Sequence, residues 1–131
     1  FGIAVNELTA IGRGDWPAVT QIVFRNYQWG AEKRNTTLWY QDNFVGTELN
    51  YEVSYAGIAE ACNLKGVVAR TMEDLTAALN QAIKDQMENG VTTLIEAMIN
   101  QELGEPFRRD AMTAPVAVAG IDAKDMRTQQ V

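Results

Sequence analysis

Three short apolar runs alternate with segments that carry helix signals, and this order constrains the fold more than any other feature of the chain. Val19 to Phe24 is rich in branched residues and nearly continuous in apolar character. That predicts a strand buried on both faces, as in a parallel sheet. Gly66 to Ala69 predicts a second short buried strand, and Thr92 to Ile99 a third. Strands separated by helices are joined by crossovers, so the expected class is α/β with a parallel sheet.

The helix signals are local. Ile3, Leu8 and Ile11, followed by Gly12, suit a helix with a glycine stop. Gly14-Asp15-Trp16-Pro17 is turn chemistry. Ser54 can cap a helix carrying Tyr55, Ile58, Ala59 and Cys62. Thr71-Met72-Glu73-Asp74 forms a capping box with aspartate in the usual glutamate place. It opens an amphipathic helix that puts Leu75, Leu79, Ala82, Ile83 and Met87 on one face and closes at Gly90. Residues 1–100 form the expected domain and residues 101–131 an irregular C-terminal tail. The chain opens on Phe1-Gly2-Ile3-Ala4-Val5 with no polar lead-in. A parallel sheet that opens with a helix predicts a preceding strand, so the expected fold is a partial three-layer parallel sheet with flanking helices, its first strand missing.

Charge and composition exclude several functions. The 17 acidic and 11 basic residues give a net charge of -6, the wrong sign for a nucleic-acid partner or an anionic membrane surface. No apolar run approaches the roughly 20 residues of a membrane span. Histidine is absent, so a histidine base, triad or metal cluster cannot be built from this chain. One cysteine, Cys62, excludes an internal disulfide and suits a reduced, cytoplasmic protein. It lies on an apolar helix face beside Ile58, the pattern of a buried thiol.

In open α/β sheets, ligands sit beyond the carboxyl ends of strands. The segment from Arg25 to Val53 leaves the first strand and is longer than a compact domain needs for a connection. It shows no clear periodicity. Its aromatics, Tyr27, Trp29, Trp39, Tyr40, Phe44 and Tyr51, argue against disorder. Packing is the ordinary role for Trp29 and Trp39. Asn26 stands at the strand end and Gly30 four residues later.

Val23-Phe24-Arg25-Asn26-Tyr27-Gln28-Trp29-Gly30-Ala31 resembles the second half of the metal-diphosphate motif of thiamine-diphosphate enzymes related to acetolactate synthase. The first half of that motif is Gly-Asp-Gly, which the 131 residues do not contain. Phe1 to Leu8 resembles the helix start that follows it. Arg25 stands where relatives can carry a first asparagine. The resemblance implies thiamine diphosphate and Mg2+ as cofactors, with the Asn26 amide oxygen and the Gln28 backbone carbonyl as metal ligands. It implies Trp29, Gly30 and Ala31 as the backbone cradle of the diphosphate. Magnesium suits these oxygen donors, glycine lets the backbone approach, and amides can bind the anion.

Longer strings carry a closer resemblance. Phe24 to Asn35, Asp42 to Leu49 and Asn100 to Ala111 are similar to a phosphate-acetylating branch of this superfamily. That resemblance implies conversion of sulfoacetaldehyde and phosphate to acetyl phosphate and sulfite, a step of taurine degradation. It implies a homo-oligomer in which a second subunit supplies the glutamate that activates the cofactor, and a chain that is inactive by itself. The tail of relatives folds over the active site, which makes Arg108 and Arg109 the first candidates for sulfonate or phosphate, ahead of Lys33 and Arg34. Glu48 fits either a surface residue or an acid behind the site. A related carboligase or decarboxylase, and a non-catalytic α/β interaction module with an aromatic docking loop, remain the alternatives.

Overall fold

The computed structural model describes residues 1–11 and 13–102, with the backbone alone for residues 35 and 37–39. The expected stop at Gly12 and the expected substrate residues Arg108 and Arg109 lie outside the described residues. A 3-10 segment, Gly2–Glu7, runs into α1 (Leu8–Ile11). There follow β1 (Thr20–Arg25), α2 (Gly30–Trp39), α3 (Tyr55–Ala61), β2 (Lys65–Ala69), α4 (Met72–Asn89) and β3 (Thr93–Met98). They form two compact units. The first is residues 1–27 with 50–100, and the second holds 28–49 together with Gln101 and Glu102 of the described residues.

The first unit is a parallel sheet in the order β1-β3-β2. Thr93 of β3 aligns with Thr20 of β1 and Lys65 of β2, and Ala97 with Phe24 and Ala69. On one face Leu8, Val23, Ala59, Leu64 and Leu94 form a core, with Ile11, Tyr55, Ile58 and Cys62 packed half-buried around it. On the other face Ala69, Ala82 and Ile95 pack with Leu75, Ala78 and Leu79 of α4. The predicted α/β class and all three predicted strands are present.

Strand burial differs from expectation. Among the described strands, only β3 has neighbours on both sides, and it alone is buried along nearly its whole length. In β1 the side chains alternate: Val23 and Arg25 are buried, while Ile22 is exposed and Phe24 is 66% exposed. In β2 only Ala69 is fully buried, and Val68 is exposed. Both are edge strands among the described residues, and an edge position removes the cover that continuous apolar character implies.

The helix starts follow their sequence signals. Ser54 Oγ accepts from Gly57 N–H at 3.1 Å at the start of α3. Thr71 Oγ1 accepts from Asp74 N–H at 3.0 Å, and Asp74 accepts from Thr71 N–H at 3.1 Å, completing the capping box of α4. Gly90 ends α4 at φ 64°, a left-handed position that glycine takes without steric cost. The buried stripe of α4 is narrower than expected. Ile83 is exposed and Met87 is 78% exposed. Towards the end of α4 the sheet contact is polar, with Thr20 Oγ1 donating to Gln86 Oε1 at 2.8 Å. Gly66 is required by close packing: a Cβ there would sit 2.2 Å from the Ala56 carbonyl oxygen of α3.

Candidate functional site

At the carboxyl end of β1 the inward side changes from apolar to charged. Val23 enters the core, and Arg25, two residues on and on the same face, is 2% exposed. Buried arginine is rare unless paired. The partner is Glu96 of β3, also 2% exposed, with Arg25 Nε 3.5 Å from Glu96 Oε1. That ion pair is too long for a good hydrogen bond, so other contacts complete the site. Glu96 Oε2 accepts from Ser54 Oγ at 2.9 Å and from Ala56 N–H at 3.0 Å. Arg25 Nη2 donates to the carbonyls of Asn50 (2.8 Å) and Val53 (3.2 Å). The guanidinium lies over the rings of Tyr27 and Tyr55, 4.4 and 4.3 Å from their centroids.

Asn26 follows, half-buried, and Tyr27 after it adopts φ 58°. That left-handed conformation costs a non-glycine residue about 1–2 kcal/mol. Tyr27 is held there by its neighbours. Its ring stacks on Tyr51 at 4.6 Å, and its hydroxyl lies 4.0 Å from Met98 Sδ. Asn26 thus stands between two anchored residues at a strand end, where an open α/β sheet binds its ligands.

The second unit begins at Gln28, which is buried and pairs with Glu48 in an isolated antiparallel bridge. Trp29 N–H donates to Thr47 C=O at 2.8 Å. Gln28 Nε2 donates to Gln101 C=O at 2.9 Å, and Gln101 Nε2 to Glu48 Oε2 at 3.0 Å. Lys33 pairs with Glu48 and lies 4.9 Å from the Phe44 ring centroid. Of the two readings of Glu48, the observed role is to join Lys33 and Gln101.

Gly30 opens α2, a helix the sequence did not announce. Its run Gly-Ala-Glu-Lys-Arg-Asn-Thr-Thr carries no apolar stripe, so periodicity could not reveal it. The helix matters for the chemistry. Trp29 is its N-cap and makes no side-chain cap. The amides of Gly30, Ala31 and Glu32 fall in the first turn, where a helix offers them no internal acceptor. Such a turn is suited to an anion. Of the amides expected to cradle a diphosphate, those of Gly30 and Ala31 have this geometry, whereas the Trp29 amide is already committed to Thr47.

No group of three or more histidine, cysteine, aspartate or glutamate side chains converges on a possible metal position among the described residues. Asn26 in the first unit and Gln28 in the second each carry a neutral oxygen of the kind magnesium accepts. Cys62 packs half-buried against the core, less enclosed than the expected buried thiol, and it is the C-cap that ends α3. No described helix is long and apolar enough to cross a membrane.

Sequence reasoning missed Glu96, and a signal for it existed. A glutamate interrupts the apolar run Leu94-Ile95-Glu96-Ala97-Met98, and an arginine ends the run of β1. Opposite charges inside two strands of one sheet point to a buried pair.

Comparison with known proteins adds the family. The model for the thiamine pyrophosphate enzyme C-terminal TPP binding domain matches residues 1–97. A sulfoacetaldehyde acetyltransferase from Roseovarius nubinhibens is 82% identical over 131 residues, all of this chain and 22% of that protein. One from Rhodobacter capsulatus is 77% identical over 129 residues, 98% of this chain and 22% of that protein. A probable sulfoacetaldehyde acetyltransferase from Rhizobium meliloti is 66% identical over 130 residues, 99% of this chain and 22% of that protein. The chain therefore spans about a fifth of the length of the curated relatives it matches. With a parallel α/β sheet, an asparagine at the end of its first strand and a match over three quarters of its length, the chain belongs to the family of thiamine pyrophosphate enzyme C-terminal TPP binding domains.

Proposed function

We propose that this chain is the part of a sulfoacetaldehyde acetyltransferase that binds thiamine diphosphate and Mg2+. The observation that carries the reading is 82% identity to such an enzyme across all 131 residues. The reaction converts sulfoacetaldehyde and phosphate to acetyl phosphate and sulfite, with a place in taurine degradation. Bound thiamine diphosphate supplies the carbon nucleophile. Residues 1–100 form the diphosphate-binding part and residues 101–131 the tail.

The roles of the chain's own residues follow from their chemistry. Asn26 offers its amide oxygen to magnesium, and Gln28 its backbone carbonyl. Gly30 and Ala31 donate first-turn amides to the diphosphate, whose charge the helix start favours. Trp29 caps that turn, its own amide held by Thr47. Arg108 and Arg109 are the proposed cations for sulfonate or phosphate. Gly-Asp-Gly is absent from these residues, so the charged metal ligand and the glutamate that activates the cofactor come from outside them. The working protein is a cytoplasmic homo-oligomer, and these 131 residues alone give no turnover.

The test is sulfite release by the full-length protein from sulfoacetaldehyde, measured with and without phosphate, thiamine diphosphate and Mg2+. The expected result is release that needs all three. Carboligation or decarboxylation of pyruvate without sulfite release would assign the chain to a related enzyme instead. Asn26→Ala is expected to weaken magnesium-dependent cofactor binding by about 10-fold or more.

A further inference from the structure

We infer that Arg25, with Glu96, Tyr27 and Tyr51, is a positioning device for Asn26. The inference rests on the proposed role of Asn26 as a magnesium ligand. It adds four residues to which the motif assigns no part.

Three observations carry it. First, Arg25 and Glu96 are both 2% exposed although charged, and their contacts reach the stretch from Asn50 to Ser54 and the start of α3. Arg25 holds the carbonyls of Asn50 and Val53, while Glu96 holds Ser54 Oγ and Ala56 N–H. A core position filled only for packing would take an apolar side chain. Second, the residues before and after Asn26 are both fixed by side-chain contacts. Arg25 is locked beneath the sheet end, and Tyr27 is stacked on Tyr51 at 4.6 Å. The two anchors also meet, with the Arg25 guanidinium 4.4 Å from the Tyr27 ring centroid. Third, Tyr27 is at φ 58°. Backbone strain in a non-glycine residue persists only where its surroundings over-determine it, and it gathers at functional sites. A neutral amide oxygen is a weak magnesium ligand and contributes only if it points correctly before the metal arrives. The clasp supplies that orientation, and outer contacts of this kind are worth about 10- to 100-fold in metal affinity.

The experiment uses the full-length protein and measures thermal stability without ligand, then calorimetric binding of thiamine diphosphate across a magnesium series. The informative variant is Arg25→Met with Glu96→Gln, which removes both charges and keeps an oxygen acceptor for Ala56 N–H. Expected is a melting temperature close to the parent's, with magnesium and cofactor affinity reduced about 10- to 100-fold. Arg25→Lys keeps a cation beside Glu96 but loses the Nη2 group that donates to two carbonyls. It is expected not to restore affinity, and it carries the comparison if the double variant fails to fold. Tyr51→Leu, at an exposed ring, is expected to weaken binding about threefold without unfolding. Folded variants with parental affinity would overturn the inference. The two readings fail differently. If Asn26→Ala also binds like the parent, the ligand role of Asn26 falls; if only the clasp variants do, Asn26 stands and the clasp is structural.

Discussion

Helix α4 and the clasp at the end of β1 belong to the same unit but are built in opposite ways. The start of α4 is written within a few adjacent residues, with Thr71 and Asp74 exchanging hydrogen bonds and Gly90 closing the other end. Nothing distant is needed to say where it begins. The clasp draws on β1, β3, the stretch from Asn50 to Ser54 and the start of α3. Its two charged members, Arg25 and Glu96, stand on different strands and far apart in sequence. A locally coded element tolerates single losses, because each of its contacts is exposed and small. A buried charge network does not, because removing one member leaves another without compensation.

The largest test of this contrast is Glu96→Ala. It leaves the Arg25 guanidinium buried beside no carboxylate and is expected to cost about 3–5 kcal/mol of folding stability, read by denaturant unfolding. A loss near 1 kcal/mol would show that the network tolerates damage as α4 does. Gly66→Ala is intermediate. Its new Cβ meets backbone, the Ala56 carbonyl oxygen at 2.2 Å, so β2 and α3 must separate. The expected cost is about 1–3 kcal/mol, and an unchanged unfolding midpoint would mean that α3 shifts freely.

The smallest effect belongs to α4 itself. Thr71→Ala removes the cap to Asp74 N–H and is expected to cost about 1 kcal/mol. Acid acts on the same box. Backbone N–H donors of Arg70 and Thr71 hold the Asp74 carboxyl below its ordinary range. Lys65, ahead of Gln81, does the same for Asp85. A lowered folded value means that the unfolded chain takes up protons first as pH falls. The stabilisation is present above the ordinary aspartate value of about 3.9 and fades as pH drops towards the lowered values. Acid unfolding should therefore begin below that pH in the parent. Asp74→Asn should be less sensitive, and an identical acid profile would remove Asp74 from the account.

The elements divide along the same line. The three strands, the Ser54 cap and the Thr71 box were legible because apolar runs and caps are short-range signals. The burial of β1 was not, since Phe24 reads as core in sequence and becomes exposed only because its strand lies at an edge. Helix α2 was not legible either, because its residues are polar and its function lies in backbone amides that have no side-chain signature. In the motif, Asn26 and Gly30 were visible by type and spacing. The part of Arg25 was hidden, because a strand-end arginine looks like a solvated charge until Glu96 is brought to 3.5 Å from it.

By itself, then, the sequence determined the class, the three strands, the caps of α3 and α4 and the position of the asparagine. These depend on neighbours within a few residues, or on a resemblance that neighbouring residues carry. Only the tertiary structure decided which strand is central, which apolar residues stay exposed, and that two charged residues from different strands meet in the interior. Those outcomes depend on residues 71 positions apart, and on which surface each strand finds covered.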